Sequence, residues 1–184
     1  MKEKSRQIPL ALALAVALLA LGTGACMVSV EAEAPDIEVT QQNIMFPGVT
    51  GSSVLGDVAM THTFSQKHPK LDLPAGLTPE VKALEVTLTA KSGITSFDFI
   101  HYLRLSMSDG ADNTNAIELI NYERDATGTT GPVLTMPSAN PVNALEQWKT
   151  DAAVFTVDVA GQLPESDWTA DVTVRFAGKV SYQR

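Results

Sequence analysis

The chain has 184 residues, 45% hydrophobic and 18% charged, with 13 Lys/Arg against 21 Asp/Glu and a formal net charge of −8. Such an acidic surface repels phosphate backbones and offers no basic patch to anionic headgroups, which argues against nucleic-acid binding and electrostatic membrane adhesion. A single cysteine, Cys26, leaves no internal disulfide framework and no multi-thiolate metal site.

The first seven residues carry Lys2, Lys4 and Arg6, and an apolar run of 14 residues follows from Ile8 to Leu21. That run is shorter than the ~20 residues a membrane-spanning helix needs. Gly22, Thr23, Gly24 and Ala25 come next. A basic start, a short apolar middle and a small-residue end form the signal-peptide pattern. Thr23 and Ala25 suit ordinary secretory cleavage, which would leave Cys26 as a free N-terminal residue. Alternatively, "TGAC" at 23–26 resembles the lipobox of bacterial lipoproteins, with Thr23 where that family usually has Leu. The position of the lone cysteine, directly after the small residues, favours the lipobox. The resemblance implies that residues 1–25 are a signal peptide cut between Ala25 and Cys26, and that Cys26 is acylated. Met27, rather than Asp, follows the cysteine, which in a diderm implies the outer membrane.

Of the charged residues, three basic and one acidic fall within 1–25, leaving ten basic against twenty acidic in the remaining 159 residues. That length supports one domain with a real core. Residues 26–36 are expected to be the lipidated N-terminus and an acidic tether, "MVSVEAEAPD" reaching up to ~35 Å when extended. The alternation of Val28 and Val30 with polar neighbours also fits an extra first strand. Residues 37–184 then form the folded domain.

From Asp36 onward the hydrophobic period is two. "DIEVT", "SVLGDVAMTHTF", "ALEVTLTAKSG", "FDFIHYLRLSM", "AIELINYE", "AVFTVDVAG" and "WTADVTVRFAGKVSY" read as strands. Leu84, Val86, Leu88 and Ala90 form one apolar row; Phe155, Val157 and Val159 form another; Ala170, Val172, Val174, Phe176 and Val180 a third. Each inward Val, Leu or Phe contributes ~1.5–3 kcal/mol when fully buried. Gly-, Pro-, Asn- and Asp-rich segments separate the strands, as in an all-β antiparallel sandwich of roughly 7–8 strands. In "NPVNALEQWKTD", Val142, Leu145 and Trp148 are spaced by three, which predicts a short helix near 142–149.

Candidate chemistry is sparse. His101 falls on the row of Phe97, Phe99, Leu103, Leu105 and Met107, the place of a hydrogen-bonded core or rim residue. His62 and His68 lie elsewhere, and none has zinc-motif spacing. The loop "SDGADNTN" supplies Asp109, Asp112, Asn113 and Asn115, oxygen donors for calcium that are equally the residues of a tight turn. Ser52 and Ser53 lack a nucleophile elbow. Glu85, Asp158 and Asp171 fall on solvent faces of strands, so Glu165 and Asp167 are the loop acids a hydrolase would use. Trp148, Trp168, Tyr102, Tyr122 and Tyr182 are candidates for a sugar-stacking platform, although both tryptophans equally suit structural places at the core edges, Trp148 as a plug at one end. No cofactor and no metal are expected. The expected function is that of a lipid-anchored, non-enzymatic β-sandwich of the cell envelope with a binding or structural role. A carbohydrate-binding module and an envelope polysaccharide hydrolase are the alternatives. The expected partners are the membrane, through lipid on Cys26, and an envelope protein or glycan.

Overall fold

The computed structural model describes residues 29–51, 56–68, 77–110, 115–125, 128–139 and 141–183. Ala25 and Cys26 therefore lie outside the described residues. Within these, eight strands follow in chain order: β1 (Ser29–Phe46), β2 (Val58–Lys67), β3 (Leu77–Ser92), β4 (Ile100–Ser108), β5 (Ile117–Glu123), β6 (Val133–Pro137), β7 (Ala152–Gly161) and β8 (Trp168–Gln183). They form two four-stranded antiparallel sheets, β1-β8-β3-β6 and β2-β7-β4-β5. The architecture is the expected β-sandwich.

Period-two patterning builds it directly. On β7, Ala153, Phe155, Val157, Val159 and Gly161 are buried while the intervening residues are half-exposed. On β8, Trp168, Ala170, Val172, Val174 and Phe176 form the facing row. Aromatic rings close the core at two levels. Trp168, fully buried, stacks on Phe46 with centroids 4.1 Å apart, and Phe99 meets it edge-on at 5.2 Å. Nearer the other end, Trp148 packs edge-on against Phe176 at 5.4 Å.

Four features depart from the sequence expectation. First, residues 29–36 are not a tether. They are the start of β1, paired with β8 as far as Ser29↔Gln183, and Glu31 forms an ion pair with Lys179 at 2.7 Å. The alternation there satisfies a neighbouring strand, and extended backbone beside an available strand gains a hydrogen-bonded ladder. Second, the helix near 142–149 is one 3-10 turn, Gln147–Lys149. Gln147 Nε2 donates to the Asn115 carbonyl at 2.6 Å, and this short turn still seats Trp148 as a plug. Third, β6 has only two buried residues, Leu134 and Met136, too few to show a period, yet it extends the sheet from β3 through Leu88↔Leu134 and Val86↔Met136.

The fourth departure is a set of β-bulges. In β3 the register slips between Ala83 and Glu85, so Ala83 is buried and Leu84 is the extra residue outside the apolar row. In β4 it slips between Ile100 and Tyr102, which removes His101 from the row of Leu103, Leu105 and Met107. Gly161 lies opposite, at φ +154, where a Cβ would collide with the Phe99 carbonyl. Edge strand β1 slips twice, between Ala34 and Ile37 and between Gln41 and Ile44, with Asn43 at φ 54. Such interruptions keep a long edge from offering an unbroken ladder to another chain.

Trp168→Ala would empty the junction of Phe46, Phe97 and Phe99 and is expected to cost about 3–5 kcal/mol in urea denaturation. Tyr102→Ala, on the outward side of β4, should cost less than about 1 kcal/mol.

Candidate functional site

The outward faces carry most of the charged side chains, and several of these sit in cross-strand pairs. Register puts Arg175 of β8 beside Glu85 of β3 and within reach of Asp36 of β1. Its Nε donates to Glu85 at 3.0 Å and its Nη1 to Asp36 at 2.8 Å. On the other sheet, Arg104 Nε and Nη2 both donate to Asp158 Oδ2, at 3.0 and 2.6 Å. Thr61 Oγ1 donates to the second oxygen of Asp158 at 2.6 Å. Burial pushes the Asp158 carboxyl up, but Thr61 and Arg104 together hold it below its ordinary value.

Asp171 is on the outward row of β8, as expected, but only 9% of its surface is exposed. The β1 bulge lies over it, and the Asn43 N–H donates to its Oδ1 at 2.8 Å. Lys91 reaches Oδ2 at 2.9 Å. Burial again raises this carboxyl, and the Asn43 N–H and Lys91 outweigh it, so Asp171 is held below the usual range. It pins an edge-strand bulge.

Asp98 joins three segments. The Thr130 N–H donates to Oδ1 at 2.6 Å and Ser96 Oγ to Oδ2 at 2.9 Å, while Arg124 donates to the Asp98 carbonyl. The Thr130 N–H is the main reason its carboxyl is held low. Nothing in sequence spacing links Ser96, Asp98, Arg124 and Thr130. Proximity after folding links them.

The histidines do not converge. His101, displaced by the bulge, sits at the rim with 35% of its side chain exposed and Nδ1 2.8 Å from Asp57 Oδ1. His62 points between the sheets, its ring 5.3 Å from Phe46 and 6.4 Å from Phe64. His68 packs on Trp148 at 4.4 Å. Among the described residues no group of three or more His, Cys, Asp or Glu could hold a metal ion. In the "SDGADNTN" loop, Asp112 and Asn113 lie outside the described residues, and Asn115 Nδ2 donates to Asp109 at 3.0 Å.

Among the candidates whose side chains are described, the sugar-stacking residues do not come together on one face. Trp148 and Trp168 are buried at 2% and 0% exposure. Tyr122 pairs with Leu103 on the inner face, and Tyr102 pairs with Glu123 and Ala160 on the outer one. Burial raises the Tyr122 phenol, keeping it protonated. Of the loop acids, Asp167 accepts the Gly48 N–H at 2.8 Å, which holds the β1–β2 connection against the β7–β8 connection. Glu165 is exposed, and its carbonyl lies where a Cβ on Gly48 would go. Two recesses of about 230 and 270 Å³ lie side by side near one end of the β1-β8-β3 sheet, with Glu80 and Lys179 in both. Neither includes Glu165, Asp167 or a histidine. Among the described residues no helix is long and apolar enough to cross a membrane.

No family model matches the chain, and no curated protein matches it. Several solved virus structures are distantly similar to the chain. The infectious bursal disease virus VP2 subviral particle is 14% identical over 90% of this chain, with a TM-score of 0.42. The chain spans 41% of that VP2 chain. The decameric BFDV capsid protein is 7% identical, covering 86% of this chain and 99% of its own, with a TM-score of 0.38. The tomato aspermy virus structure is 11% identical, covering 91% of this chain and 88% of its own, with a TM-score of 0.24. At these scores the likeness carries no functional argument.

His62 gives the site region a pH dependence. Burial lowers its pKa below the ordinary 6.5, so the unfolded chain binds a proton more readily. Its neutral form is favoured by folding, and stability falls as pH drops below 6.5 toward the folded-state value. Replacing it with an apolar ring that cannot titrate, His62→Phe, is expected to shrink the difference between urea midpoints measured at about pH 7.5 and 5.5. Asp158 and Asp171, held low, lose their contribution only in more acidic solution.

Proposed function

We propose that the protein is a non-enzymatic β-sandwich of the cell envelope, held at the membrane by lipid on Cys26 and serving a binding or structural role. The observation that carries the reading is the place of the lone cysteine, behind a basic, apolar and then small-residue leader. The folded domain is compatible with it. Asp36, Glu85, Asp158 and Asp171 hold strands together, and Asp167 holds a loop, so these acids already have structural work. Of the two tryptophans a glycan platform would use, both fill the core.

Intact-mass measurement of the membrane-extracted protein tests the anchor. The expected mass is that of a chain beginning at Cys26 plus acyl chains, and Cys26→Ser should abolish both acylation and cleavage at that residue. An unacylated Cys26, or a wild-type protein found wholly in the soluble fraction, would overturn the reading.

A further inference from the structure

The two sheets differ in length. Strands β1, β8 and β3 run 18, 16 and 16 residues, whereas β2, β7, β4 and β5 run 10, 10, 9 and 7. The plug closes the inner face at Val81 and Phe176. Asn143 Oδ1 accepts the Val81 N–H at 3.0 Å, the Ala144 N–H donates to the Val81 carbonyl at 2.6 Å, and Trp148 lies against Phe176. Beyond that point the three long strands continue together to Ser29, Leu77 and Gln183.

Register assigns two unlike faces to this overhang. Ala32 pairs with Val180 and Val180 with Pro79; Ala34 pairs with Gly178 and Gly178 with Val81. These residues, with Leu77, continue the apolar inward row, and Ala34, Leu77, Pro79 and Val180 are only half-buried. The opposite face carries Glu31, Glu80, Lys82 and Lys179, tied by Lys179–Glu31 and Lys82–Glu80 contacts of 2.7 Å, together with Glu33. One side is apolar, and the other is charged with an acidic excess.

We propose that the apolar side of this overhang rests on the lipid surface that anchors the chain, and so sets how the sandwich stands on the membrane. The inference rests on the lipid anchor proposed above. Only Met27 and Val28 separate Cys26 from Ser29, a reach of about 10 Å. Acyl chains buried in the bilayer therefore hold the first residues of β1 among the headgroups. An amphipathic surface confined there lowers its free energy by turning its apolar side into the headgroup–acyl boundary. Anionic headgroups repel the acidic side and turn it outward.

The test uses the full chain, exported and processed so that the sulfur of Cys26 is blocked by lipid. Val180→Cys and Ala34→Cys then each introduce one free thiol on the apolar side, with Ser181→Cys on the opposite side and Thr63→Cys on the other sheet as references. Each carries an environment-sensitive fluorophore in phosphatidylethanolamine–phosphatidylglycerol vesicles that contain a nitroxide-labelled lipid. Quenching at positions 180 and 34 is expected to exceed that at 181 and 63 by at least about twofold. Equal quenching at all four would overturn the contact. So would a blue-shifted but unquenched label at 180 and 34, because another part of the chain or a second protomer would then cover that face. The intact mass separates the two ideas. An acylated chain without selective quenching sinks the membrane contact alone, whereas an unacylated chain sinks the anchor and the contact together.

Discussion

The double pairing of β8 is the constraint on which the rest of the structure depends. It is bonded to β1 on one flank and β3 on the other over almost its whole length. Its inward row, from Trp168 to Phe176, is the floor on which the opposite sheet lies. A one-residue slip would send that whole row to solvent, so the register is held by the burial of every ring and branched side chain in it. The bulges in β1 and β3 absorb the local mismatches without disturbing β8, which keeps its alternation.

Charge is arranged around that pairing. The chain is acidic, yet Glu31, Asp36, Glu85, Asp158 and Asp171 lie where neighbouring strands bring a base or an N–H. Arg175 bridges both neighbours of β8, Arg104 pairs with Asp158 across the second sheet, and Asp171 holds the bulge of β1 through Asn43. Exposed pairs of this kind contribute little energy singly. Asp171 differs because it is buried and accepts a backbone N–H whose loss would leave an unsatisfied group. The outward faces thus favour one register over its alternatives, while apolar burial supplies the driving force.

The fold was legible from the chain because a half-buried strand writes its two faces as alternate letters. β7 and β8 match that pattern residue for residue on their inward rows. Legibility failed where tertiary pairing overrides alternation. His101 and Leu84 sit at bulges, so counting by twos through them assigned the wrong face. Strand β6 offers only two inward residues, and the leading part of β1 is a strand because β8 extends far enough to pair with it. The candidate sites suffered more. Trp168, a candidate both for a sugar platform and for a core edge, lies under Phe46, and the Asp98–Thr130–Arg124 contact joins residues with no spacing to reveal them.

By itself the sequence determined the all-β class, the inward rows of the strands without bulges and the acidic character of the chain. These are local or compositional properties, carried by neighbouring residues and by totals. Only the tertiary structure decided which strands are neighbours, where the register slips, which acids are paired and that one sheet outruns the other. Those depend on contacts between residues distant in the chain, such as Arg175 with Asp36 and Ser29 with Gln183. Many pairings of similar alternating strands satisfy the same local pattern, and the close-packed core selects among them.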